Sequence, residues 1–328
     1  MSSELSQKIC FVDRTLAEAM LQWDIVGFGV ATLDLIMEVS SFPTAGGKKQ
    51  ILSSESHGGG LTATALVAAS KLGAKTWYGG ALGENERSDT VRRILTGYDV
   101  NLPEPGLYPA EAEPVFAHVY VDRQTGERTI FWSDLGAVAP VVNNDTIGVA
   151  LASKCLFVDN HRAEALLPLY RLAKKHHVPI VGDFETVADS HDEEALSLVD
   201  HLIVPAVFAR QYTGCHDPGE AVSRLLKNPG HQVVVVTDGA NGAWFADREN
   251  RQVRHQAAYP VNVCDTTGCG DVFHGAYAAF LVFGENLETR VQTAAAVAAI
   301  KATRRGGQAG TPTRQEVSAF LTNQPGNS

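Results

Sequence analysis

Asp265-Thr266-Thr267-Gly268-Cys269-Gly270-Asp271, followed at once by the apolar run Val272 to Phe283, is the stretch that sets the architecture of this chain. Two glycines at a helix start let the backbone curl until several N–H groups point at one spot, and the helix dipole adds partial positive charge there. Such a turn can cradle an anion. Asp271 at its edge can take a proton from an attacking hydroxyl, while the N–H groups of Gly268, Cys269 and Gly270 hold charge building on a transferred group. The plainer alternative is a Gly-rich turn whose aspartate only caps the helix.

Upstream, short apolar runs alternate with helical ones. Ile25 to Val30 reads as a buried strand, and Leu33 to Val39 as a second extended piece ended by Pro43-Thr44-Ala45-Gly46-Gly47. After Gly58-Gly59-Gly60, the Ala-rich Leu61 to Leu72 stops at Gly73, the pattern of a helix with a glycine at its C-terminal end. Strands are expected at Thr76 to Gly80, Cys155 to Asp159, Pro179 to Asp183, His201 to Val204 and Val233 to Thr237. Helices are expected at Asp89 to Thr96, Ala163 to His176, Glu193 to Val199 and Gly219 to Leu226. This rhythm predicts an α/β fold with a mostly parallel, doubly wound sheet flanked by helices. Phe116 to Val121 and Glu127 to Trp132 alternate instead with period 2 around Asp122 to Gly126, which predicts a hairpin. Together with the chain around 35–57, the segment 113–133 is expected to form a small antiparallel β lid. Residues 1–22, with a short helix candidate over Thr15 to Leu21, read as an extension ahead of a domain spanning 23–322.

The 328 residues allow two domains or one large α/β domain with an insertion. With 45% apolar and 20% charged residues, 30 Gly and 14 Pro, the composition excludes disordered, collagen-like and coiled-coil classes. A net charge of −10 argues against nucleic acid or an anionic membrane surface as partner. The five cysteines, Cys10, Cys155, Cys215, Cys264 and Cys269, form no CxxC pair, which fits a reducing cytoplasm. No signal-like or membrane-spanning stretch is expected.

Asp-Thr-Thr-Gly-Cys-Gly-Asp resembles the D-T-x-G-A-G-D signature of the ribokinase-like, or PfkB-type, carbohydrate kinases. Gly29 to Asp34, Gly58-Gly59, Leu72-Gly73-Ala74, Gly80 to Glu84, Thr237 to Ala243 and the tail Ala298 to Pro312 also look like that family, in its order and over nearly the whole chain. The resemblance implies ATP-dependent transfer of the γ-phosphoryl group to a sugar hydroxyl, with Asp271 as general base and Gly268, Cys269 and Gly270 as the anion hole. It places Asp34, Gly58 and Gly59 on the sugar, Thr237, Gly239, Gly242 and Thr267 along the nucleotide, and Gly307 on the adenine wall near the end of the last long helix. It also implies Mg²⁺, room for a monovalent cation, and a homodimer formed through the lid.

The chain departs from the family pattern in several places. Ala63 stands where the family has a sugar-binding Asn, leaving Thr62 or Thr64 as substitutes. The family's N-x-x-E falls at Pro205-Ala206-Val207-Phe208 and is absent, so Mg²⁺ handling falls to the nucleotide, water and Asp183 or Glu185. Asp183-Phe184-Glu185 replaces the usual D-x-N; the loss of N-x-x-E, together with the Gly58 to Ala65 segment and Gly275 directly after Asp-Val-Phe-His, looks more like the ketohexokinase and sulfofructose-kinase branch than ribokinase itself. Cys269 replaces alanine, either as a small apolar stand-in or as a thiol acidified by the helix start. Gly46-Gly47-Lys48-Lys49 is not a P-loop. Lys48 is either a solvated lysine or a contact to an anionic group of the substrate, and His161 is a candidate facing the acceptor. Trp132 in the lid reads as packing rather than a sugar platform. Gly27 to Thr32 begins like a dinucleotide fingerprint but lacks the third glycine and the following helix. The expected activity is phosphorylation of a ketose or furanose-type sugar, including phosphorylated or sulfonated ones. A nucleoside kinase, an inactive nucleotide-binding homologue and an NAD-dependent oxidoreductase are the alternatives.

Overall fold

The period-2 alternation of the first strand sets the layering. Within β1 (Trp23–Phe28), Ile25 packs into one apolar cluster and Val26 and Phe28 into another on the opposite face, all three fully buried. The computed structural model describes residues 22–125 and 127–324. The helix expected over Thr15 to Leu21 lies outside the described residues, as do Cys10 and Gly126.

From β1 the chain runs through β2 (Thr32–Val39), β3 (Ile51–Gly59), α1 (Leu61–Lys71), β4 (Thr76–Tyr78), α2 (Glu86–Thr96), β5 (Val100–Asn101), β6 (Val115–Asp122) and β7 (Arg128–Ser133). Next come α3 (Asn144–Leu151), β8 (Ser153–Asp159), α4 (Ala163–Lys175), β9 (Ile180–Asp183), α5 (Ser190–Leu198), β10 (His201–Pro205), α6 (Ala206–Thr213), α7 (Pro218–Leu225) and β11 (Val233–Thr237). β12 (Ala243–Asp247), β13 (Arg254–Gln256), α8 (Cys269–Val282), α9 (Leu287–Ala302) and α10 (Arg314–Thr322) complete the described chain.

The main sheet has the order β13-β12-β11-β10-β9-β8-β1-β4-β5, parallel except for the antiparallel pair β12 and β13 at one edge. Strand order reverses beside β1, which lies between β8 and β4. Ligands of open α/β sheets bind at the carboxyl ends of strands at such a reversal. α1, α8 and α9 cover one face, and α4 to α7 the other. Gly275 lets α8 lie against α1, since a Cβ there would sit 2.0 Å from the Ala65 carbonyl oxygen. None of the described helices is long and apolar enough to cross a membrane.

The lid is a four-stranded sheet ordered β3-β2-β6-β7. The expected hairpin is β6–β7, and β2 and β3 form a second one; contrary to a wholly antiparallel lid, the two join through β2 and β6 running parallel, with Thr32 beside Val115 and Val39 beside Asp122. Parallel strands need a long connection, and α1 through β5 supply it. α2, α5 and α7 each begin earlier than apolar periodicity predicts. Their first turns are polar and are capped by Asn85, Asp189 and Asp217, whose side chains accept backbone N–H bonds. α9 ends at Ala302, so Gly307 lies in the turn beyond the helix rather than within it.

Candidate active site

Gly268 opens α8 with φ +74, and no side chain caps the helix. Asp271 therefore does not act as the cap, and its carboxyl is left for other work. A Cβ on Gly268 would come within 2.8 Å of the Gly307 Cα, whereas one on Gly270 would meet nothing within 4 Å. The cradle is thus backed by Gly307 and open at Gly270. Asp271 is half-buried. The protein packed around it pushes its carboxyl well above the ordinary range, aided by the neighbouring charges of Asp183, Glu185 and Asp159 and opposed by His274.

Those acids come from strand ends. Asp159 closes β8 and Asp183 closes β9, side by side in register. Asp159 accepts bonds from Val30 N (2.8 Å), the Thr62 hydroxyl (2.7 Å) and His161 N (2.9 Å), stitching the end of β1 to α1 at the reversal point. Thr62 is fully buried and its hydroxyl is committed to Asp159, so it supports the site rather than presenting a donor to substrate. Thr64 is also buried and accepts from Gln308 Nε2 (3.4 Å). His274, one helical turn beyond Gly270, faces the Gly270 carbonyl (2.7 Å) and the Ile203 carbonyl (3.0 Å), with Asp183 Oδ1 at 3.4 Å.

Asp265, the first acid of the signature, is the hub of the cradle's outer side. Its Oδ1 accepts from Thr267 N (2.9 Å) and from Arg128 (2.6 Å), and its Oδ2 from Gly306 N (2.9 Å). Burial alone would raise this carboxyl, but these donors outweigh it and hold the group far below the usual range. Arg128 comes from the tip of the β6–β7 hairpin and also bonds the Thr267 hydroxyl, so the lid is tied to the loop that starts the cradle. Beneath that loop lies Lys301, with no exposed surface; its ammonium donates to the Asp265 carbonyl (2.7 Å) and lies 3.5 Å from Asp265 Oδ2. Burial raises the Cys269 thiol despite the nearby Lys301, so the acidified thiol considered above is not formed and the residue serves as a small packed side chain.

On the acceptor side, Asp34 accepts from the Thr32 hydroxyl (2.8 Å) and lies across β2–β3 from His57. Burial raises its carboxyl, with the Thr32 bond and His57 pulling the other way. A Cβ on Gly59 would lie 2.6 Å from Asp34 Oδ2, and one on Gly58 would lie 2.5 Å from Gln308 Oε1. These two glycines therefore bring the lid's root against Asp34 on one side and the Gly307–Gln308 turn on the other. His161 lines a cleft with Gly29, Ala31, Tyr78, Glu113, Val115 and Arg162 at the root of the lid. Lys48 is exposed in the loop between β2 and β3, and no ion pair joins it to the described residues of the site. Thr237 ends β11 on the same sheet edge as Asp159 and Asp183, with its hydroxyl 3.5 Å from the Val204 carbonyl. Gly239 follows with open space at its Cβ position, while Gly242 is required by the fold, a Cβ there lying 2.1 Å from the Gln256 carbonyl.

Among the described residues, no group of three or more His, Cys, Asp or Glu could hold a metal ion. Asp183 is buried, and burial, then Glu185 and Asp159, push its carboxyl well above the ordinary range. Glu185 is exposed at the same strand end. A free monovalent cation does not fit at Asp265, where a carboxylate and a carbonyl already converge on the Lys301 ammonium. The turn after β1 does not suit a dinucleotide either, because Asp159 and Thr62 fill the space in front of Gly29.

Asp265, Arg128, Lys301, Asp159 and His274 are the positions around the candidate site that motif reading passes over. Two signals were available: Asp265 stands inside the signature, and Lys301 is a lone charge in the Ala-rich run Ala294 to Ala302.

Residues 23–314 match the pfkB family carbohydrate kinase profile. The chain belongs to that family: it is a kinase that transfers a phosphoryl group to an alcohol acceptor. It is similar to a ribokinase of Haemophilus influenzae, 26% identical over 80% of this chain and 87% of that protein. A deoxyribokinase of Salmonella typhi is 24% identical over 91% of this chain and 99% of its own length. Among solved structures, Arabidopsis thaliana ribokinase complexed with ribose and ATP superposes with a TM-score of 0.83 at 22% identity, covering 92% of this chain and 99% of that one.

Proposed function

We propose that this protein transfers the γ-phosphoryl group of ATP to a hydroxyl of a ketose or furanose-type sugar, with Asp271 as general base. The observation that carries the proposal is the α8 start: an uncapped N-terminus whose Gly270 faces open space, with an uncommitted carboxyl raised in affinity for a proton beside it. Phosphoryl transfer needs little covalent chemistry from the protein, so positioning and charge stabilisation dominate. The backbone N–H groups of Gly268 and Gly270 hold the transferred group while Asp271 accepts the acceptor's proton; the Cys269 N–H, expected to join them, donates instead to the Thr266 carbonyl (3.2 Å). Asp34, with Gly59 packed against it, orients the sugar hydroxyls. Gly307 backs the cradle on the nucleotide side, and Thr237 and Gly239 line the approach from β11. Mg²⁺ enters with the nucleotide and neutralises phosphate charge; Glu185 is the exposed carboxylate on that sheet edge that could meet its water shell.

The names of the ribokinase and deoxyribokinase relatives support a furanose acceptor. Closure of the lid, tied by Arg128, excludes water and limits futile ATP hydrolysis. Ile51, Leu52, Ile130, Phe131 and Trp132, on the two edge strands β3 and β7 of the lid, are 44–65% exposed, and exposed apolar edge strands of this kind support a homodimer in which one lid covers another. Within the wider reading, the chain works in a reducing cytoplasm, to which Cys155, Cys215, Cys264 and Cys269, all free, are suited. The test is ATP consumption with Mg²⁺ across ribose, deoxyribose, fructose, phosphorylated and sulfonated ketoses, and nucleosides. A furanose or ketose should stand out; a nucleoside as best acceptor would move the activity to nucleosides, and a flat panel would remove the kinase proposal.

A further inference from the structure

Lys301 is among the largest fully buried side chains of the molecule. Burying an ammonium is costly unless oxygen donors replace its water. In the otherwise apolar, Ala-rich stretch of α9, a Leu or Met would fill the same space without that cost. Its position in the last turn of α9 places the charge where the helix dipole favours it. The oxygens it meets both belong to Asp265: the carbonyl at 2.7 Å and the carboxylate at 3.5 Å. A carboxylate and a main-chain carbonyl converging on one point are the donor set of a hard cation.

The surrounding bonds show what this cation holds. The N–H groups of Cys264 and Asp265 donate to the Ala302 carbonyl (2.7 and 3.0 Å). The Asp265 carboxylate then grips Gly306 N and Thr267 N. Thr267 is the residue before Gly268, and Gly306 the one before Gly307, the two glycines that pack together at the back of the cradle. Lys301 thus sits under the point from which both walls are positioned.

We infer that the Lys301 ammonium is a cation built into the chain, which sets the 265–268 loop without any free potassium or sodium ion, so that this kinase needs no monovalent salt. The inference rests on the phosphoryl-transfer reading above for its effect on turnover, but not for its effect on nucleotide binding. Lys301 is a positioning residue, acting through Asp265.

The experiment uses the full chain exchanged into tetramethylammonium buffer and titrated with KCl or NaCl at constant ionic strength. ATP affinity by calorimetry, thermal midpoint and kcat are followed together. A native protein with no site for an ion gains nothing from that ion by linkage, so the wild type should change by less than about twofold in affinity and kcat. Lys301→Met should weaken ATP binding by about tenfold or more, with at least part of the loss restored by K⁺ or NH₄⁺ but not by tetramethylammonium. Activation of the wild type by K⁺ would overturn the inference, and so would a Lys301→Met loss that no monovalent ion repairs. If that variant does not fold, Lys301→Gln takes its place, and the wild-type titration decides on its own. A protein that phosphorylates no acceptor yet shows this salt pattern in ATP binding would lose the kinase proposal and keep the tethered cation.

Discussion

Two glycine-rich segments stand at the mouth of the sheet, Gly27 to Val30 at the end of β1 and Gly268 to Asp271 at the start of α8, and they serve opposite ends. At Gly29 a Cβ would lie 2.2 Å from both Asp159 Oδ2 and the Thr62 hydroxyl, so the glycine makes room for the protein's own buried carboxylate. At Gly270 the same position is open. One turn is filled by protein and locks the β1–β8 junction; the other is open at Gly270. A glycine-rich turn can take a ligand only where nothing in the chain occupies the space it frees, which makes the α8 start the candidate and excludes the β1 turn.

Substitutions can break that contrast. Gly29→Ala forces the Asp159 carboxylate or β1 to move, and should cost at least about 2 kcal/mol, read as a lower denaturation midpoint and reduced soluble yield. Gly270→Ala should leave the thermal midpoint within about 2 °C of wild type, yet lower kcat/KM by about tenfold or more, because the methyl intrudes where the phosphoryl group is held. A Gly270→Ala enzyme with wild-type kinetics would make the two turns equivalent. Arg128→Ala removes the tie between lid and cradle. The pair is more than a third exposed on the arginine side, so stability should change by about 1 kcal/mol or less. The effect should appear instead as a rise of a few-fold in acceptor KM and faster ATP hydrolysis without acceptor, checked by a coupled ADP assay.

The contrast also explains what could be read from the sequence. The α8 start was legible because every part of it is local: glycines, helix and Asp271 lie within a few residues. The alternation of β and α segments was legible for the same reason, and it gave the parallel sheet. Capped helix starts at Asn85, Asp189 and Asp217 were missed because their first turns carry no apolar stripe. The hub at Asp265 was missed because its partners are distant in sequence: Arg128 is 137 residues away, Gly306 41 and Lys301 36. The support role of Thr62 depends on Asp159, 97 residues on. A contact of that range leaves no spacing pattern to read. The parallel join of the two lid hairpins is likewise set by tertiary packing, since each hairpin alone looks the same whichever way its neighbour runs.

As the proposed general base, Asp271 gives the activity a pH signature. The raised carboxyl must be ionised to accept the acceptor's proton, so kcat/KM should be lost as pH falls through that raised value, above the pH of about 4 at which an ordinary aspartate titrates. The decisive comparison is kcat of Asp271→Asn with nucleotide and sugar affinities measured on the same preparation. Removal of the base should lower kcat by at least about two orders of magnitude while both affinities hold within a few-fold. A variant that turns over within tenfold of wild type would show that Asp271 is not the base and that the open turn of α8 works without it.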